Sequence, residues 1–519
     1  MDTKALRQKV LDLAIRGKLV PQDPNDEPAS VLLERIRQQK QQMVKEGKLK
    51  AKDIKNDSII FVGEDNLHYE KFPDGSVKCI EDEIPFELPE GWAWARLQSF
   101  VDFIGGSQPP KSTFEYVQTP DNIRLIQIRD YKTDKFMTFI PRTKARRFCS
   151  KDDVMIGRYG PPIFQILRGL EGSYNVALMK AVANPRVMLN DYLYYLLQDG
   201  ELLRMLESLS DRTCGQDGIN MYELNRYIVG IPPIEDQGRI ISYLSNVLPK
   251  VDEIANCKDE LISLIAQAKS KILDLAIRGQ LVPQDPDDEP ASFLLERIRA
   301  EKEYLIKQGK IKRDKKESVI FRGEDNSYYL RTGDLVESLE DWCLDEIPDS
   351  WEVCYLSELC DYGNCINVDT ASIPDSAWIL DLEDIEKDTG VVLQKIRKAE
   401  RNAVSTKHQF HKGQVLYSKL RPYLNKVVLA DEDGYCTSEI LPLEFNQIIL
   451  PQYARYYMMS PVFLHYADKC SYGVKMPRLG TEDGKKAIIS IPPAEEQKRI
   501  VLAIEQSFTQ LSFILNNLS

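Results

Sequence analysis

The chain has 519 residues, a net charge of −12 and a hydrophobic share of 43%, which excludes a disordered chain and, at this length, a single ordinary domain. The polar start Met1–Val10 and the lack of an apolar run of roughly 18 residues predict a cytoplasmic protein without a membrane span. The acidic balance argues against a phosphate-binding surface over the whole chain, so positive charge has to be sought locally.

An internal repeat dominates the sequence. The segment LDLAIRGKLVPQDP at 11–24 returns as LDLAIRGQLVPQDP at 273–286, 262 residues later, and both copies continue with DEPAS, LLERIR and GEDN. The run IPPIEDQ at 231–237 returns as IPPAEEQ at 491–497, 260 residues later. Two stretches between these segments, about 92–230 (module 1) and about 351–490 (module 2), show little resemblance to each other. A fixed frame around a changed insert favours two recognition modules on one scaffold, with structural duplication alone as the alternative.

Helices are predicted from apolar residues at helical spacing. Near the N-terminus these are Leu6, Val10, Leu11, Leu13 and Ala14, with a stop at Gly17. Amphipathic helices are predicted for 30–46 and 292–308. A long central helical segment follows Pro233 and ends at Gly279, and Pro249 should kink or divide it.

The two ends of the chain together repeat this central segment. The C-terminal pattern from Ile500 to Leu518 matches its first part, and the N-terminal pattern matches its second part. We therefore expect a pseudo-two-fold ring of helix, module, helix, module, with two separate helical hairpins as the alternative. Within the modules, the apolar runs IRLIQI, DVMIGRY, QVLYSKL and NKVVLA between Gly, Pro and Asp clusters predict strands, so each module is expected to be a compact α/β unit of about 140 residues.

Catalytic motifs are missing from the sequence. There is no G-x-x-x-x-G-K-[ST] loop, no G-x-G-x-x-G opening, no H-E-x-x-H and no Asn-Pro-Pro-aromatic loop, and the cysteines form no C-x-x-C metal clasp. His408 and His411 have helical spacing on one polar face, but carboxylates near them are sparse. We expect no catalytic residues and no metal site in this chain.

Positive charge is concentrated inside the modules. Residues 121–171 contain eleven basic and six acidic residues, and residues 395–426 contain nine basic residues and one acid, Glu400. Phosphate neutralisation needs such basic islands, although any single basic residue could simply be solvated. Several basic residues stand beside aromatic or amide side chains, which suits contacts with base edges. The candidates for DNA contact are Gln108, Lys111, Arg129, Arg158, Tyr159 and Gln165 in module 1, and Lys419, Arg421, Tyr423, Lys426, Lys475 and Arg478 in module 2.

The sequence resembles the specificity (S) subunit of a Type I restriction-modification enzyme over essentially its full length. The resemblance is carried by LDLAIRGKLVPQDPNDEPAS, LPEGWAWARL, GQVLYSKLRPYLNKVVLA and the two exits IPP-x-E-[DE]-Q, in the same order in both halves. It implies two α/β target recognition domains, each binding one half of a bipartite site in double-stranded DNA, separated by long conserved antiparallel helices. The implied division is 1–50 N-terminal helices, 51–232 first target recognition domain, 233–310 central helical region, 311–492 second target recognition domain and 493–519 C-terminal helix.

The resemblance also implies partners that hold the chemistry. Two modification (M) subunits would carry adenine methylation with S-adenosylmethionine, and restriction (R) subunits would supply ATP- and Mg-dependent translocation and cleavage, so this chain itself needs no cofactor. The helix residues expected to dock M subunits are Ile240, Leu244, Val251, Leu261, Ile265, Ile272, Ile500, Ile504 and Leu511. The alternatives are a protein-protein scaffold with two ligand-recognition modules and, third, a hidden nuclease.

Overall fold

The computed structural model describes residues 2–50, 54, 57–160, 162–209, 211–213, 216–309, 318–325, 327–339, 347–401 and 405–518. These residues fall into two compact units, Met1–Cys257 and Lys258–Ser519. In each unit two helical segments precede the strands and one helical segment follows them. In the described part of the chain, no helix is both long and apolar enough to cross a membrane.

Unit 1 begins with two helices and continues through the strands of module 1 to a long helix. Its elements in chain order are α1 (Thr3–Ile15), α2 (Ala29–Lys45), β1 (Ile59–Val62), β2 (His68–Lys71), β3 (Val77–Cys79), β4 (Ala93–Arg96), β5 (Val101–Gly105), β6 (Asn122–Ile126), β7 (Phe139–Pro141), β8 (Phe148–Cys149), β9 (Val154–Gly157), β10 (Gln165–Leu167), β11 (Gly172–Tyr174), β12 (Leu178–Ala183), α3 (Asn190–Leu196), α4 (Gly200–Ser208), β13 (Asp211–Thr213), β14 (Gln216–Gly218), α5 (Met221–Arg226), β15 (Ile228–Ile231) and the first part of α6 (Ile234–Ile277).

Unit 2 repeats this order with the second half of the sequence. It contains the rest of α6, then α7 (Ala291–Lys307), β16 (Ser318–Arg322), β17 (Tyr328–Thr332), β18 (Leu335–Ser338), β19 (Glu352–Tyr355), α8 (Leu356–Leu359), β20 (Asn367–Val368), β21 (Trp378–Leu380), β22 (Ile396–Arg397), β23 (Lys407–Phe410), β24 (Val415–Ser418), β25 (Val427–Leu429), β26 (Gly434–Thr437), β27 (Ile440–Leu443), α9 (Pro451–Met459), α10 (Pro461–Lys469), β28 (Ser471–Tyr472), β29 (Arg478–Leu479), α11 (Thr481–Lys485), β30 (Ile488–Ile491) and α12 (Ala494–Leu518).

The sheets are small and mostly antiparallel. Unit 1 has sheets in the order β1-β2-β3, β10-β9-β12-β5, β7-β6-β11-β8, β13-β14 and β15-β4, and unit 2 has β16-β17-β18, β19-β30, β20-β23-β26-β21-β22, β25-β24-β27 and β28-β29. Each unit contains one parallel pair, β6 with β11 and β21 with β26, among the described strands. The mixed helix and sheet content confirms the α/β class, and the predicted strands lie at β6, β9, β24 and β25.

The helices before and after each module pack as antiparallel pairs. In unit 1, Arg7 of α1 forms an ion pair with Asp252 of α6 at 2.9 Å, and Asp26, beyond the end of α1, pairs with Arg239 near the start of α6. In unit 2, Lys269 of α6 lies over the ring of Phe508 in α12. Buried apolar residues on these helices join the module cores, which is what makes the helices stable beyond their intrinsic propensity.

Both units close their modules with the same contacts. The buried side chain of Gln237 accepts the backbone N–H of Leu189 at 2.8 Å, and Gln497 accepts that of Leu450 at 2.8 Å. Strand β4 pairs with β15, and β19 pairs with β30, so the two ends of each module meet in a two-stranded ladder. The repeated IPP-x-E-[DE]-Q segment therefore has a structural role, because it brings the end of each module back to its beginning.

Pro249 does not divide the central helix. Helix α6 runs from Ile234 to Ile277 with the proline inside it, so the predicted division is wrong. Leu248 and Val251 on either side of Pro249 are buried, and this packing offsets the backbone hydrogen bond that proline removes. The predicted stop at Gly279 is confirmed, because Gly279 has a φ of +69° just beyond the helix. The predicted helices 30–46 and 292–308 are confirmed to within one residue as α2 and α7.

Candidate nucleic-acid interface

One loop occupies the same place in both modules and has two left-handed positions at the same spacing. It connects β9 to β10 in module 1 and β24 to β25 in module 2, and Lys419 follows Arg158 by 261 residues. Two residues after each of these basic residues the backbone turns left-handed, at Gly160 (φ +101°) and Arg421 (φ +50°). Four residues later it does so again, at Phe164 (φ +57°) and Asn425 (φ +48°). We call these the β9–β10 loop and the β24–β25 loop.

Each loop is joined to a second hairpin. A backbone bridge connects Tyr159 with Gly218 of the β13–β14 hairpin, and the equivalent bridge connects Leu420 with Arg478 of the β28–β29 hairpin. In module 2 the N–H of Arg421 also donates to the carbonyl of Pro477 at 2.7 Å. The two modules therefore build the same two-hairpin platform from different sequences, which the sequence comparison of the inserts did not reveal.

The candidate residues of module 1 lie around the β9–β10 loop. Arg158 stacks its guanidinium over the ring of Tyr159, 5.4 Å from the ring centroid, and the side-chain amide of Gln165 donates to the carbonyl of Pro162 at 3.0 Å. A Cβ added at Gly105 would lie 4.0 Å from Nη1 of Arg158. Gln108 follows this glycine in the chain, so it shares the same end of the sheet.

The other two candidates of module 1 lie on turns, and Arg129 lies near this loop. Lys111 is exposed on a short turn after Gln108. Arg129 is exposed, and its guanidinium lies over the ring of Phe136. Its neighbour Ile128 packs near Gly157 at the end of β9, which places Arg129 beside the platform.

The candidates of module 2 differ in how free their side chains are. The side chain of Lys419 makes no hydrogen bond or ion pair with the residues that the structure describes, and Tyr423 is 51% exposed. Lys426 donates to the carbonyl of Leu382 at 2.6 Å, and burial lowers the pKa of its ammonium group. Lys426 is therefore held in the protein, and its availability for a DNA contact is lower than the sequence suggested.

Arg421 and Arg478 have special local environments. Arg421 adopts a left-handed backbone that costs a non-glycine residue about 1 kcal/mol or more, and glycine stands at the equivalent position of module 1. Such strain is typical of functional positions.

Arg478 forms hydrogen bonds through Nε and Nη2 to the carboxylate of Glu439, and these bonds lower the pKa of that carboxyl. Lys475 is exposed on the loop between β28 and β29.

The basic island of module 1 remains largely free. Arg124 pairs with Asp134 and Arg168 pairs with Asp191, each at 2.7 Å. Other basic residues of the island are exposed and form no ion pair with the described part of the chain: Lys132, Lys144, Arg146, Arg147 and Lys151. This surface supports the predicted attraction for phosphate.

The basic island of module 2 is mostly neutralised, which corrects the sequence interpretation. Five of its basic residues form ion pairs with carboxylates from outside the window 395–426: Lys395 with Asp431, Arg397 with Glu432, Lys398 with Asp375, Arg401 with Asp384 and Lys407 with Asp381. A sequence window counts only local acids, whereas the folded sheet brings in distant ones. Within the island, the basic residues that form no ion pair with the described part of the chain are Lys412, Lys419, Arg421 and Lys426.

His408 and His411 do not share a helix face. His408 lies on strand β23, and His411 follows that strand. The Nδ1 atom of His408 lies 2.8 Å from the carbonyl of Ile440, and burial lowers the pKa of its imidazole. His411 is half-exposed beside Asp433. The helical spacing assumed for this pair is wrong, because the segment is a strand that alternates its faces.

Most of the helix residues expected to dock a partner are buried inside their own units. They are Ile240, Leu244, Val251, Ile265, Ile500 and Ile504, each at most 6% exposed, while Leu261, Ile272 and Leu511 are partly buried. The buried six belong to the core, because apolar spacing identifies the buried face of a helix. The exposed apolar residues on these helices are Tyr243, Ile254, Ile262, Leu264, Leu502, Phe513 and Ile514. None of these seven residues was among the helix residues expected to dock M subunits.

The chain is similar to several known proteins. The family described as Type I restriction modification DNA specificity domain matches residues 348–517. The chain is 26% identical to the Type I restriction enzyme EcoEI specificity subunit of Escherichia coli, over 97% of this chain and 89% of that one. It is 29% identical to the EcoAI specificity subunit of Escherichia coli, over 70% of this chain and 63% of that one. A chain from a solved type I R-M system is 18% identical with a TM-score of 0.49, covering 84% of this chain and 94% of that one.

Fold and platform together define a duplicated protein with two recognition modules on a helical frame. The chain is similar to Type I restriction enzyme specificity subunits over almost its whole length, and residues 348–517 match the DNA specificity domain of that family.

Proposed function

We propose that this chain reads a split DNA sequence and that each module binds one half of it. The observation that supports this most strongly is the shared two-hairpin platform. Its two left-handed positions and its bridge to the second hairpin recur in both modules, whereas its side chains differ, with Arg158 and Gln165 in one and Lys419 and Lys426 at the equivalent positions of the other. A constant platform with variable side chains is what two readers of different half-sites require.

The chemistry of the platform suits DNA. Arginine and lysine can contact guanine through two hydrogen bonds, and glutamine can contact adenine in the same way. The free cations of module 1 around Arg146 and Arg147 would hold phosphates and set the position of the duplex. In module 2 the phosphate contacts would come from fewer residues, chiefly Lys412 and Lys475.

Partner subunits complete the proposal. We infer that two M subunits dock on the exposed apolar residues of the helices, of which Phe513 at 69% exposed is the most open. In that assembly the M subunits would methylate adenine with S-adenosylmethionine, and R subunits would use ATP and Mg to translocate and cleave DNA. This chain would be a non-catalytic, cytoplasmic subunit without a cofactor of its own.

The proposal is tested by selecting sequences from a pool of randomised duplexes with the chain assembled with its M subunits. We expect enrichment of two short motifs at a fixed gap, and binding in mobility-shift assays that weakens steeply as salt rises from about 50 to about 200 mM. The matched variants Arg158→Gln and Lys419→Gln should each alter a different half of the motif. Binding without sequence enrichment would favour the protein-protein scaffold and overturn the proposal, and metal-dependent cleavage by the isolated chain would overturn the non-catalytic assignment.

A further inference from the structure

The β28–β29 hairpin ends in an apolar tip. Its apolar residues were not among the candidates for DNA contact. The strands pair through Ser471 with Leu479 and Tyr472 with Arg478, so residues 473–477 form the connecting loop. On this hairpin Val474 is fully exposed, and Tyr472 and Met476 are 63% and 49% exposed. Apolar side chains gathered on a projecting hairpin indicate contact with another molecule.

The base of the tip is fixed beside cationic residues of the platform. The N–H of Leu479 donates to the carbonyl of Lys419 at 3.0 Å, and the N–H of Arg421 donates to the carbonyl of Pro477. Lys475 lies on the tip itself and is exposed. A hairpin with an apolar tip and cationic residues beside it is complementary to a DNA groove. The phosphates attract the cationic residues, and the apolar tip reaches the base edges.

The chemistry of the base edges selects one contact. In the major groove, thymine presents a C5-methyl group, which apolar side chains contact favourably. We propose that the tip enters the major groove and that Val474 and Met476 contact thymine methyl groups of the half-site read by module 2. This inference rests on the proposed function and adds to it the residues and the base that they recognise.

Module 1 provides a contrast within the same chain. Its matching hairpin, β13–β14, has the sequence DRTCGQDG at 211–218, which contains no large apolar residue. Recognition of thymine methyl groups by a hairpin tip should therefore occur in only one of the two half-sites, the one read by module 2.

The test removes the methyl group alone. The duplex enriched from the randomised pool is remade with deoxyuridine in place of thymine, first in one half-site and then in the other. The assembled wild-type chain should bind about three- to fivefold more weakly for each contacted methyl that is lost, in one half-site only. The double variant Val474→Ser/Met476→Ser should bind the thymine and uracil duplexes equally. The control Val391→Ser/Leu393→Ser, which changes residues 52% and 59% exposed outside the hairpin, should keep the wild-type discrimination.

The outcomes separate the two proposals. Wild-type protein that prefers the enriched duplex to random DNA but binds its thymine and uracil forms equally would overturn the tip assignment and leave the proposed function standing. An enriched motif without thymine in either half would overturn it as well. Failure to enrich any sequence would overturn both.

Discussion

The indole N–H of Trp92 donates a hydrogen bond to the buried carboxylate of Asp236 at 2.8 Å. In the second half of the chain Trp351 makes the same bond to Glu496 at 2.9 Å. Each tryptophan lies at the entrance of a module and each carboxylate near the start of the helix that follows it. The bond therefore fixes the two ends of a module to each other. It is present in both halves, although the carboxylate belongs to an aspartate in one half and to a glutamate, which is one methylene longer, in the other.

Trp92→Phe should destabilise unit 1 by about 1–3 kcal/mol at neutral pH, because a buried carboxylate loses a hydrogen bond. Burial raises the pKa of Asp236, and the bond from Trp92 opposes that rise, so the variant should raise the pKa further. A folded carboxyl with a raised pKa takes up a proton as the pH falls through that pKa, which relieves the penalty. Urea unfolding at several pH values should show the loss shrinking toward acid pH. A loss that is independent of pH would contradict this explanation.

Gly17→Ala should be strongly destabilising. Gly17 has a φ of +64°, and a Cβ there would lie 2.4 Å from Cγ of Pro89. Gly47 is the matched control, because its φ is +72° but nothing lies within 4 Å of its Cβ position. Gly47→Ala should cost only the left-handed backbone term of about 1 kcal/mol. Equal unfolding midpoints for the two variants would show that the contact with Pro89 does not restrict this turn.

The buried ion pair of unit 1 has an apolar counterpart in unit 2. Arg96 and Glu70 are 4% and 1% exposed and pair at 2.7 Å, whereas Tyr355 and Leu330 hold the equivalent positions of the paired strands. Glu70→Leu alone should cost about 3–5 kcal/mol, because it leaves a buried guanidinium with fewer partners. The double change Glu70→Leu/Arg96→Tyr should recover much of that loss in a double-mutant cycle measured by denaturant unfolding. A double variant as unstable as the sum of the single changes would contradict this expectation.

Lys412 and Arg401 should behave oppositely although both belong to one basic island. Lys412 is exposed and forms no ion pair with the described part of the chain, so Lys412→Gln should reduce the slope of log affinity against log salt by about 0.9, as expected for one lost phosphate contact. Arg401→Gln should leave that slope unchanged and lower stability, because Arg401 pairs with the fully buried Asp384. Mobility shifts across a salt series and urea unfolding measure the two effects. A change of slope in the Arg401 variant would show that the island is not neutralised as the structure indicates.

The frame could be predicted from the sequence because it is repeated and local. Apolar spacing and the repeated segments located α1, α2, α7, the central helix and α12, since these depend on residues close together in the chain. The shared platform of the modules could not be predicted, because it depends on backbone conformations at Gly160 and Arg421 that different residue types adopt.

Long-range pairing explains the error about charge. The carboxylates that neutralise Arg397 and Lys407 come from strands and loops outside the local window. Apolar periodicity correctly found residues such as Ile240 and Ile504, but it marks the face of a helix that is buried in its own unit. A surface for partners is better sought among the residues that interrupt the opposite, polar face.

Mapping methylated adenines in a bacterial strain that carries this chain with its M subunits tests the central claim most directly. We expect two short motifs separated by a constant unread gap, with substitutions at Arg158 altering one motif and substitutions at Lys419 altering the other. Methylation within a single uninterrupted motif, or a pattern that does not change when the chain is deleted, would contradict the claim that each module reads half of a split site.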